Sequence, residues 1–264
     1  MAPYEAYYAN HGLDEYVEVF RHNEEKSIEL QVLRNALAGW LAMTSTLDRR
    51  LELLDIGCGT GDFVHQLGET VFSGAPGKLE FDCDILDVNP AGFDQATVGC
   101  DAVHGTGLHV RRRISRLWQE TPREELAQSY DLLISNHVFY SCPINHEETQ
   151  RLLDLLKPGG VAIVALASEH SEVTQMRKSV GLQLQTAEDF EATLLHHWID
   201  FTRYSYKNRM DYDPEQKVFS RWLFGGSEAG KAEQQALLAR HTRAGPRGPY
   251  IQNAAAIHVI RKSN

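Results

Sequence analysis

The residues with the clearest chemical potential form a glycine-rich turn, Gly57-Cys58-Gly59-Thr60-Gly61, which Asp55 precedes by two positions. Glycine at every second position permits positive φ and leaves no Cβ between the backbone and a ligand, so a flat or charged ligand can lie directly on the turn. The Asp55 carboxylate beside the turn would repel a phosphate and attract a cation. The turn therefore favours a cationic ligand without phosphate, and its G-x-G-x-G spacing differs from the G-x-G-x-x-G of dinucleotide enzymes.

A strand and a helix must position this turn. Residues 51–56 form a short apolar run that is typical of a buried parallel strand, and Phe63, Val64 and Leu67 recur at helical spacing. The order of strand, tight turn and helix makes the N-terminus of the helix face the ligand. A turn that only connects the two elements is the alternative interpretation.

A second strand, predicted over residues 78–88, ends in the acidic residue Asp87. An acidic residue at this place can accept both ribose hydroxyls of an adenosine, as in other nucleotide-binding sheets. Asn89 is the alternative for this role. Asp82 and Asp84 on the same strand are predicted to be solvated or to cap turns.

Two more strands are predicted further along the chain. Residues 108–115 predict a third strand, whose end at Ser115 would hold the edge of an adenine. Residues 130–135 predict a fourth strand, which Asn136 and His137 follow directly. Because ligands bind at the carboxyl ends of the strands in sheets of this kind, both side chains should face the reacting groups.

The turn Lys157-Pro158-Gly159-Gly160 leads into an apolar fifth strand, residues 161–166. With Asp55 and the glycine turn, it resembles the class I S-adenosylmethionine-dependent methyltransferases, in matching order over about 110 residues. The resemblance implies an α/β fold, a Rossmann-like seven-stranded methyltransferase sheet with helices on both faces. It also implies S-adenosyl-L-methionine as the cofactor, bound by Asp55, Gly57, Gly59, Gly61, Asp87, Asn89, Ser115 and Asn136.

The two ends of the chain are predicted to build a lid and a substrate pocket around this core. Residues 13–43 carry apolar residues at spacings of three and four, which predict a helix that lies over the ligand crevice. We expect one methyltransferase domain, 1–264, with an N-terminal helical lid (1–46), a cofactor-binding core (47–167) and substrate-pocket insertions with the last strands (168–264). The other predicted elements are helices near 122–128, 187–196, 215–224 and 231–241, and strands near 199–206 and 250–260.

The N-terminal helix and the C-terminus are similar to histamine N-methyltransferase and its relatives. The resemblance implies substrate-binding roles for Glu29 and Asn253, and it places His137 and Tyr140 where that family has a substrate-contacting glutamine and tyrosine. Histidine takes a proton near neutral pH and glutamine does not, so the substrate or the proton route differs here. The segments that carry the resemblance are Tyr16-Val17-Glu18 with Phe20, Ser27-Ile28-Glu29-Leu30-Gln31, and Ile251-Gln252-Asn253.

These residues predict a small-molecule N-methyltransferase acting on an amine or an imidazole. Glu29 would accept an imidazole N–H, or would hold an ammonium while a base such as His137 removes a proton. A small-molecule O-methyltransferase for a hydroxyl or carboxylate shares every cofactor feature, and a catalytically silent cofactor-binding protein is a further alternative. A nicotinamide dehydrogenase is disfavoured by the glycine spacing and by Asp55. In the purely structural interpretation, Glu29 lies on a solvated helix face, Tyr140 in the core and Asn253 at a turn.

Composition limits the kinds of partner that this protein can bind. We expect the partner to be a small-molecule acceptor. The formal net charge of −10 disfavours a nucleic-acid partner, and no apolar run approaches the ~18 residues of a membrane span. The four cysteines show no metal-ligand pairing and His196-His197 lacks a carboxylate or cysteine partner at ligand spacing, so no metal is predicted. Arg111-Arg112-Arg113 is predicted to lie along a strand with its charges at the solvent edge, rather than to form an anion clamp. We expect a cytoplasmic protein that is a monomer or a weak homodimer.

Overall fold

The computed structural model describes residues 18–19, 24–75, 79–101, 106–126, 129–139, 142–213, 217–225, 227 and 229–263, with the backbone alone at 98–101 and 106. The helices are α1 (Glu25–Thr44), α2 (Asp62–Thr70), α3 (Phe93–Asp101), α4 (His146–Asp154), α5 (Glu172–Ser179), α6 (Ala187–His196), α7 (Lys217–Phe224) and α8 (Lys231–His241). The strands are β1 (Leu51–Ile56), β2 (Leu79–Asp87), β3 (Thr106–Ser115), β4 (Tyr130–Asn136), β5 (Leu156–Ala167), β6 (Phe201–Asp211), β7 (Arg243–Gly245) and β8 (Gly248–Arg261).

The strands form one sheet in the order β3-β2-β1-β4-β5-β8-β6, and the short β7 pairs with β8. Strands β1 to β5 pair in parallel, whereas β8 is antiparallel to both β5 and β6. The predicted seven-stranded α/β sheet is confirmed, with β7 as a short addition among the described residues. Because the strand order reverses between β1 and β4, a crevice opens at the carboxyl ends of these two strands.

Alternating side chains of β1 explain why helices cover both faces of the sheet. Leu53 points into a core that α1 and α2 complete, with Leu37 and Trp40 almost fully buried. Leu54 points the other way, into a core that includes Phe190 of α6 and Leu152 of α4. Each such buried side chain contributes about 1.5–3 kcal/mol relative to an exposed one, so both layers are held to the sheet by apolar packing.

Helix α1 occupies part of the predicted N-terminal lid. Most of its length packs on the sheet through Leu33, Leu37 and Trp40. Its first turn reaches the crevice, where Lys26 forms part of the wall. Most of the predicted helix before Glu24 lies outside the described residues, and a lid function stays a prediction.

The region from 116 to 129 differs from its prediction. A short 3-10 turn, Arg123–Glu125, stands where a helix was predicted over 122–128, and the part described shows no α-helix. Leu126 is extended and buried, packed in a core with Trp118 and Tyr130. Burial of this side chain ends the turn at Leu126, so the predicted helix is wrong over the residues that are described.

The end of the chain follows the sequence prediction more closely. Helices α6, α7 and α8 and the strands β6 and β8 lie where they were predicted. Helix α5 was not predicted, although Ser171 caps it by accepting a hydrogen bond from the Thr174 N–H at 3.4 Å.

The burial of Asp84 contradicts the prediction that this residue is solvated or caps a turn. Its carboxylate is fully buried, accepts two hydrogen bonds from Arg111 at 3.0 and 2.9 Å, and accepts a third from the Tyr130 hydroxyl at 2.7 Å. A buried charge requires such partners. Arg111 also pairs with Glu52 at 2.6 Å, and it is itself exposed on the edge strand β3, as predicted for the arginine run.

Candidate active site

The main crevice lies at the carboxyl ends of β1, β2 and β4 and has a volume of about 970 Å³. Its walls include the glycine turn, Asp55, Asp87, Asn136 and His137. These predicted residues come from separate stretches of the chain, and the parallel sheet brings them together at one edge.

The glycine turn has the conformation that its spacing predicts. Gly57, Gly59 and Gly61 have φ angles of 72°, 53° and 75°, in the left-handed region that favours glycine. A Cβ on Gly57 would lie 2.1 Å from Cγ2 of Val138, so no other residue fits there without displacement of the β4 loop. The turn therefore packs closely against the loop after β4 at Gly57, and it forms part of the crevice wall.

Asp87 is held at the end of β2 by the turn itself. Its Oδ2 accepts a hydrogen bond from the Gly59 N–H at 2.8 Å, and its Oδ1 accepts one from the Asn89 N–H at 2.8 Å. Burial raises the pKa of this carboxyl, and the backbone hydrogen bonds oppose that rise. Each oxygen has a second lone pair that can accept from a ribose hydroxyl.

Asn89 and Ser115, which were also predicted to bind the cofactor, are less clearly placed for this role than Asp87. The Asn89 side chain accepts a hydrogen bond from the Ala91 N–H at 3.0 Å and so caps a short 3-10 turn. Ser115 pairs with Asp87 in the sheet register, while the crevice wall on that side begins one residue later, at Arg116. Cofactor roles for Asn89 and Ser115 stay predictions.

The crevice is suited to a cation. Asp55 is almost fully buried, and burial followed by the charge of Asp87 raises its pKa to about 7, against the opposing charge of Lys26. The Asn136 amide donates to Oε2 of Glu29 at 3.2 Å, which fixes its orientation. Its Oδ1 is buried and has no hydrogen-bond partner among the described residues. A bound cation with N–H groups would satisfy this oxygen.

His137 connects the end of β4 to α1. Its backbone is left-handed, with φ of 55°, and its N–H donates to the Ala165 carbonyl at 3.0 Å. Its Nε2 lies 2.8 Å from Oε1 of Glu29, 3.2 Å from the Tyr206 hydroxyl and 3.5 Å from Oε1 of Glu25. Burial lowers the pKa of the imidazole, but the charges of Glu25 and Glu29 outweigh it and raise the pKa to about 9. The ring is an imidazolium at neutral pH.

Two buried carboxylates of α1 lie beside this ring, one helical turn apart. The Tyr206 hydroxyl hydrogen-bonds to both Glu25 and Glu29. Asn253 donates to Oε1 of Glu25 at 2.8 Å, and its own Oδ1 accepts from the Ser171 hydroxyl at 2.6 Å. Burial raises the pKa of Glu25 to about 7, with Glu29 adding to the rise and His137 opposing it.

A second cavity, the side cavity, lies beyond His137 and has a volume of about 440 Å³. Glu25, Arg177 and Asn253 supply polar groups to its wall, and Met210 and Trp222 supply apolar surface. His137 lines both the side cavity and the main crevice. A molecule in the side cavity would therefore meet a ligand of the crevice at this residue.

Sequence reasoning found some of these residues and missed others. Glu29 lies behind the side cavity, fully buried among His137, Tyr206 and Asn136, whereas Glu25 lines the cavity. Glu25 was missed, although its spacing of four from Glu29 on a helix places both on one face. Arg177 was also missed, and nothing local in its sequence marks it. Tyr140 lies outside the described residues.

One group of possible metal ligands occurs in the described part of the chain. Ligand atoms of Glu25, Glu29 and His137 all lie within 4.8 Å of one another. The hydrogen bonds above already use these atoms, and the absence of a metal stays a prediction.

The sheet order, the left-handed glycine turn and the acidic residue ending β2 define the class of S-adenosylmethionine-dependent methyltransferases. A family model described as a methyltransferase domain matches residues 20–208. The chain belongs to this family, whose members use S-adenosylmethionine. The residues of the crevice fit that cofactor, because Asn136 offers a buried acceptor and Asp55 a carboxylate to its cationic groups, and Asp87 suits its ribose.

Curated relatives are similar over part of their length. The chain is 28% identical over 130 residues to the highly reducing polyketide synthase NEC1 of Pyricularia oryzae, covering 48% of this chain and 4% of that protein. It is 27% identical over 148 residues to trans-aconitate 2-methyltransferase of Deinococcus radiodurans, covering 54% of this chain and 46% of that protein. The chain thus aligns with less than half of either relative.

Solved structures share the fold. The plantazolicin methyltransferase BpumL in complex with SAH has a TM-score of 0.55 at 13% identity, covering 99% of this chain and 94% of that chain. The YcgJ protein of Bacillus subtilis has a TM-score of 0.54 at 12% identity, covering 87% of this chain and 99% of that chain. None of the helices in the described ranges is long and apolar enough to cross a membrane.

Proposed function

We propose that the protein transfers a methyl group from S-adenosylmethionine to a nitrogen of a small amine or imidazole-type molecule. One observation carries the proposal: the buried carboxylate of Glu25 lies on the wall of a cavity that meets the main crevice at His137. A carboxylate in such a place binds a cationic or N–H-bearing group strongly, because water does not compete for it.

Glu25 also offers a place for the proton that an ammonium must lose. When bound, S-adenosylmethionine supplies a methyl group from a sulfonium sulfur. The nitrogen lone pair forms the new bond to that carbon, and the electron pair of the broken carbon–sulfur bond stays on sulfur. An ammonium has no lone pair, so its proton first passes to the Glu25 carboxylate, whose pKa of about 7 lies closer to that of an amine than an ordinary carboxyl pKa does.

His137 and Glu29 then act as positioning residues. The His137 imidazolium is held by Glu29 and borders both cavities, so it orients the acceptor where the two cavities meet without serving as a base at neutral pH. Asn253 fixes the Glu25 carboxylate by its hydrogen bond at 2.8 Å. Catalysis of such a displacement depends on the alignment of the acceptor nitrogen with the methyl group and on the exclusion of water from the site.

The test begins with the purified protein, S-adenosylmethionine and a panel of imidazoles, primary amines, phenols and carboxylates. Mass spectrometry should detect amines or imidazoles that have gained one methylene. Glu25→Gln should then raise KM for the amine roughly 10- to 100-fold, as expected for the loss of a charge-assisted hydrogen bond. Its affinity for S-adenosylmethionine should not change.

Glu24→Gln is the matched control, because Glu24 is exposed and pairs with Arg247 at 2.7 Å on the surface. It should leave KM unaltered. An unchanged KM in Glu25→Gln would remove Glu25 as the anchor. Cofactor binding without methylation of any acceptor would instead point to a silent cofactor-binding protein.

A carboxylate O-methyltransferase is the second candidate. It is favoured because the residue shared by both cavities, His137, is a cation, and Arg177 is a second cation in the side cavity. Trans-aconitate 2-methyltransferase is among the relatives. A methylated carboxylate with no methylated amine in the same panel would select this function.

A further inference from the structure

We propose that the acceptor is a zwitterion of the amino-acid type, with its basic nitrogen at Glu25 and its carboxylate at Arg177 of the side cavity. This inference rests on the proposed N-methyl transfer and adds the class of molecule that is methylated. It also assigns Arg177 as a residue that determines specificity.

Arg177 is a buried cation with a fixed orientation. Only 2% of its surface is exposed, and it lies on α5 among the residues that line the side cavity. Its Nε donates to the Leu223 carbonyl at 3.1 Å and its Nη2 donates to the Trp222 carbonyl at 2.9 Å. The guanidinium also lies 4.4 Å from the centroid of the Trp222 ring. A guanidinium held in this way keeps a fixed plane and a permanent positive charge, which attracts a carboxylate.

The charges around the side cavity suit a zwitterion. Two carboxylates, Glu25 and Glu29, are balanced by two cations, His137 and Arg177. Three of these charges lie together at the His137 end and sum to −1 when all are ionised, and Arg177 adds a positive charge to the wall of the side cavity. A neutral molecule with an ammonium at one end and a carboxylate at the other complements both.

The position of Arg177 decides which end of the acceptor faces the cofactor. His137 lies between the two cavities and beside Glu25. In the part of the chain that the structure describes, Arg177 lines the side cavity and is absent from the main crevice. The nitrogen end therefore meets the methyl donor, and the carboxylate points away from it. Met210, Trp222 and Val173 provide apolar surface for the carbon skeleton between the two ends.

The first experiment compares acceptors on the unaltered protein. Each amino acid is paired with the amine that lacks its carboxylate, such as histidine with histamine and tryptophan with tryptamine. The best amino acid should exceed its amine in kcat/KM by roughly tenfold or more, the effect of a charge-assisted pair. Equal values, or a preference for the amine, would overturn the inference and leave N-methyl transfer intact.

The second experiment changes the cation. Arg177→Met should lower kcat/KM for the amino acid roughly tenfold or more and leave that for the amine nearly unchanged, and Arg177→Lys should restore part of the loss. Lys178→Met is the control, because Lys178 is the adjacent and exposed cation on α5. Equal losses for both acceptors in Arg177→Met would contradict the assignment, since they would indicate a structural role.

Two further outcomes are also decisive for the inference. A thermal melt shows whether Arg177→Met folds. If it does not fold, the inference is tested by the ratio of kcat/KM for the amino acid to kcat/KM for its amine, measured on the unaltered protein. If neither amines nor amino acids are methylated while a carboxylate is, N-methyl transfer fails and this inference fails with it.

Discussion

Gly57 shows at the residue scale how one backbone conformation shapes the wall of the crevice. Its φ of 72° is unfavourable for any side chain, and a Cβ would lie 2.1 Å from Val138. We expect Gly57→Ala to weaken S-adenosylmethionine binding at least tenfold, because the strand end and the β4 loop must move apart. Isothermal titration measures this affinity.

Gly39→Ala serves as the matched control for that change. Gly39 lies within α1, and a Cβ there would have no neighbour within 4 Å. This variant should gain about 0.5–1 kcal/mol of stability from the better helix propensity of alanine and bind the cofactor normally. Unaltered cofactor affinity in Gly57→Ala would mean that the turn adapts to a side chain.

Helix α1 shows at the element scale how the core and the acceptor site depend on each other. Its buried face carries Leu33, Leu37 and Trp40 against the sheet, and the same face carries Glu29 and Glu25 about one and two turns before Leu33. The apolar contacts therefore determine how deeply the two carboxylates enter the protein. A shift of the helix would move both of them relative to His137.

Leu37→Ala tests this dependence. Leu37 is fully buried, so its truncation should reduce the free energy of unfolding by about 2–5 kcal/mol. Urea denaturation measures the change. Met43→Ala on the same helix is the control, because Met43 is 62% exposed and should change stability by less than about 0.5 kcal/mol. Similar losses in the two variants would show that α1 does not pack as described.

The charged cluster links distant parts of the whole molecule and makes its stability depend on pH. Glu25 and Glu29 come from α1, His137 from the end of β4 and Tyr206 from β6. The pKa of His137 is raised from 6.5 to about 9, so its contribution is fully present below pH 6.5 and is lost as the pH rises through 9. The raised pKa of Glu25 acts in the same direction between pH 4.5 and about 7.

We therefore expect the free energy of unfolding to fall from pH 6.5 to 9, as measured by urea denaturation across this range. His137→Asn, which tolerates the left-handed backbone, should flatten the decline. His170→Gln is the control, since His170 is an exposed histidine, and it should keep the decline. Stability that rises over this pH range would contradict the placement of the proton on His137.

Local patterns were sufficient for much of the fold. The apolar run of β1 and the glycine spacing after it predicted the sheet core, since each depends on neighbours within a few residues. With the Lys157–Gly160 segment, they carried the resemblance that implied the cofactor. The prediction over 122–128 failed because burial of Leu126 outweighed the helix propensity of its polar neighbours. The prediction that Asp84 is solvated or capping failed because its hydrogen-bond partners, Arg111 and Tyr130, come from other strands.

The sequence by itself determined the class of protein, its cofactor and the strand ends that face the ligand. Only the tertiary structure decided that Glu25 lines the side cavity while Glu29 lies behind it, and that Arg177 shares this cavity. Glu25 and Tyr206, for example, are hydrogen-bonded across 181 positions of the chain. Periodicity records which face of an element is buried, but the partner that it meets there depends on how the sheet assembles.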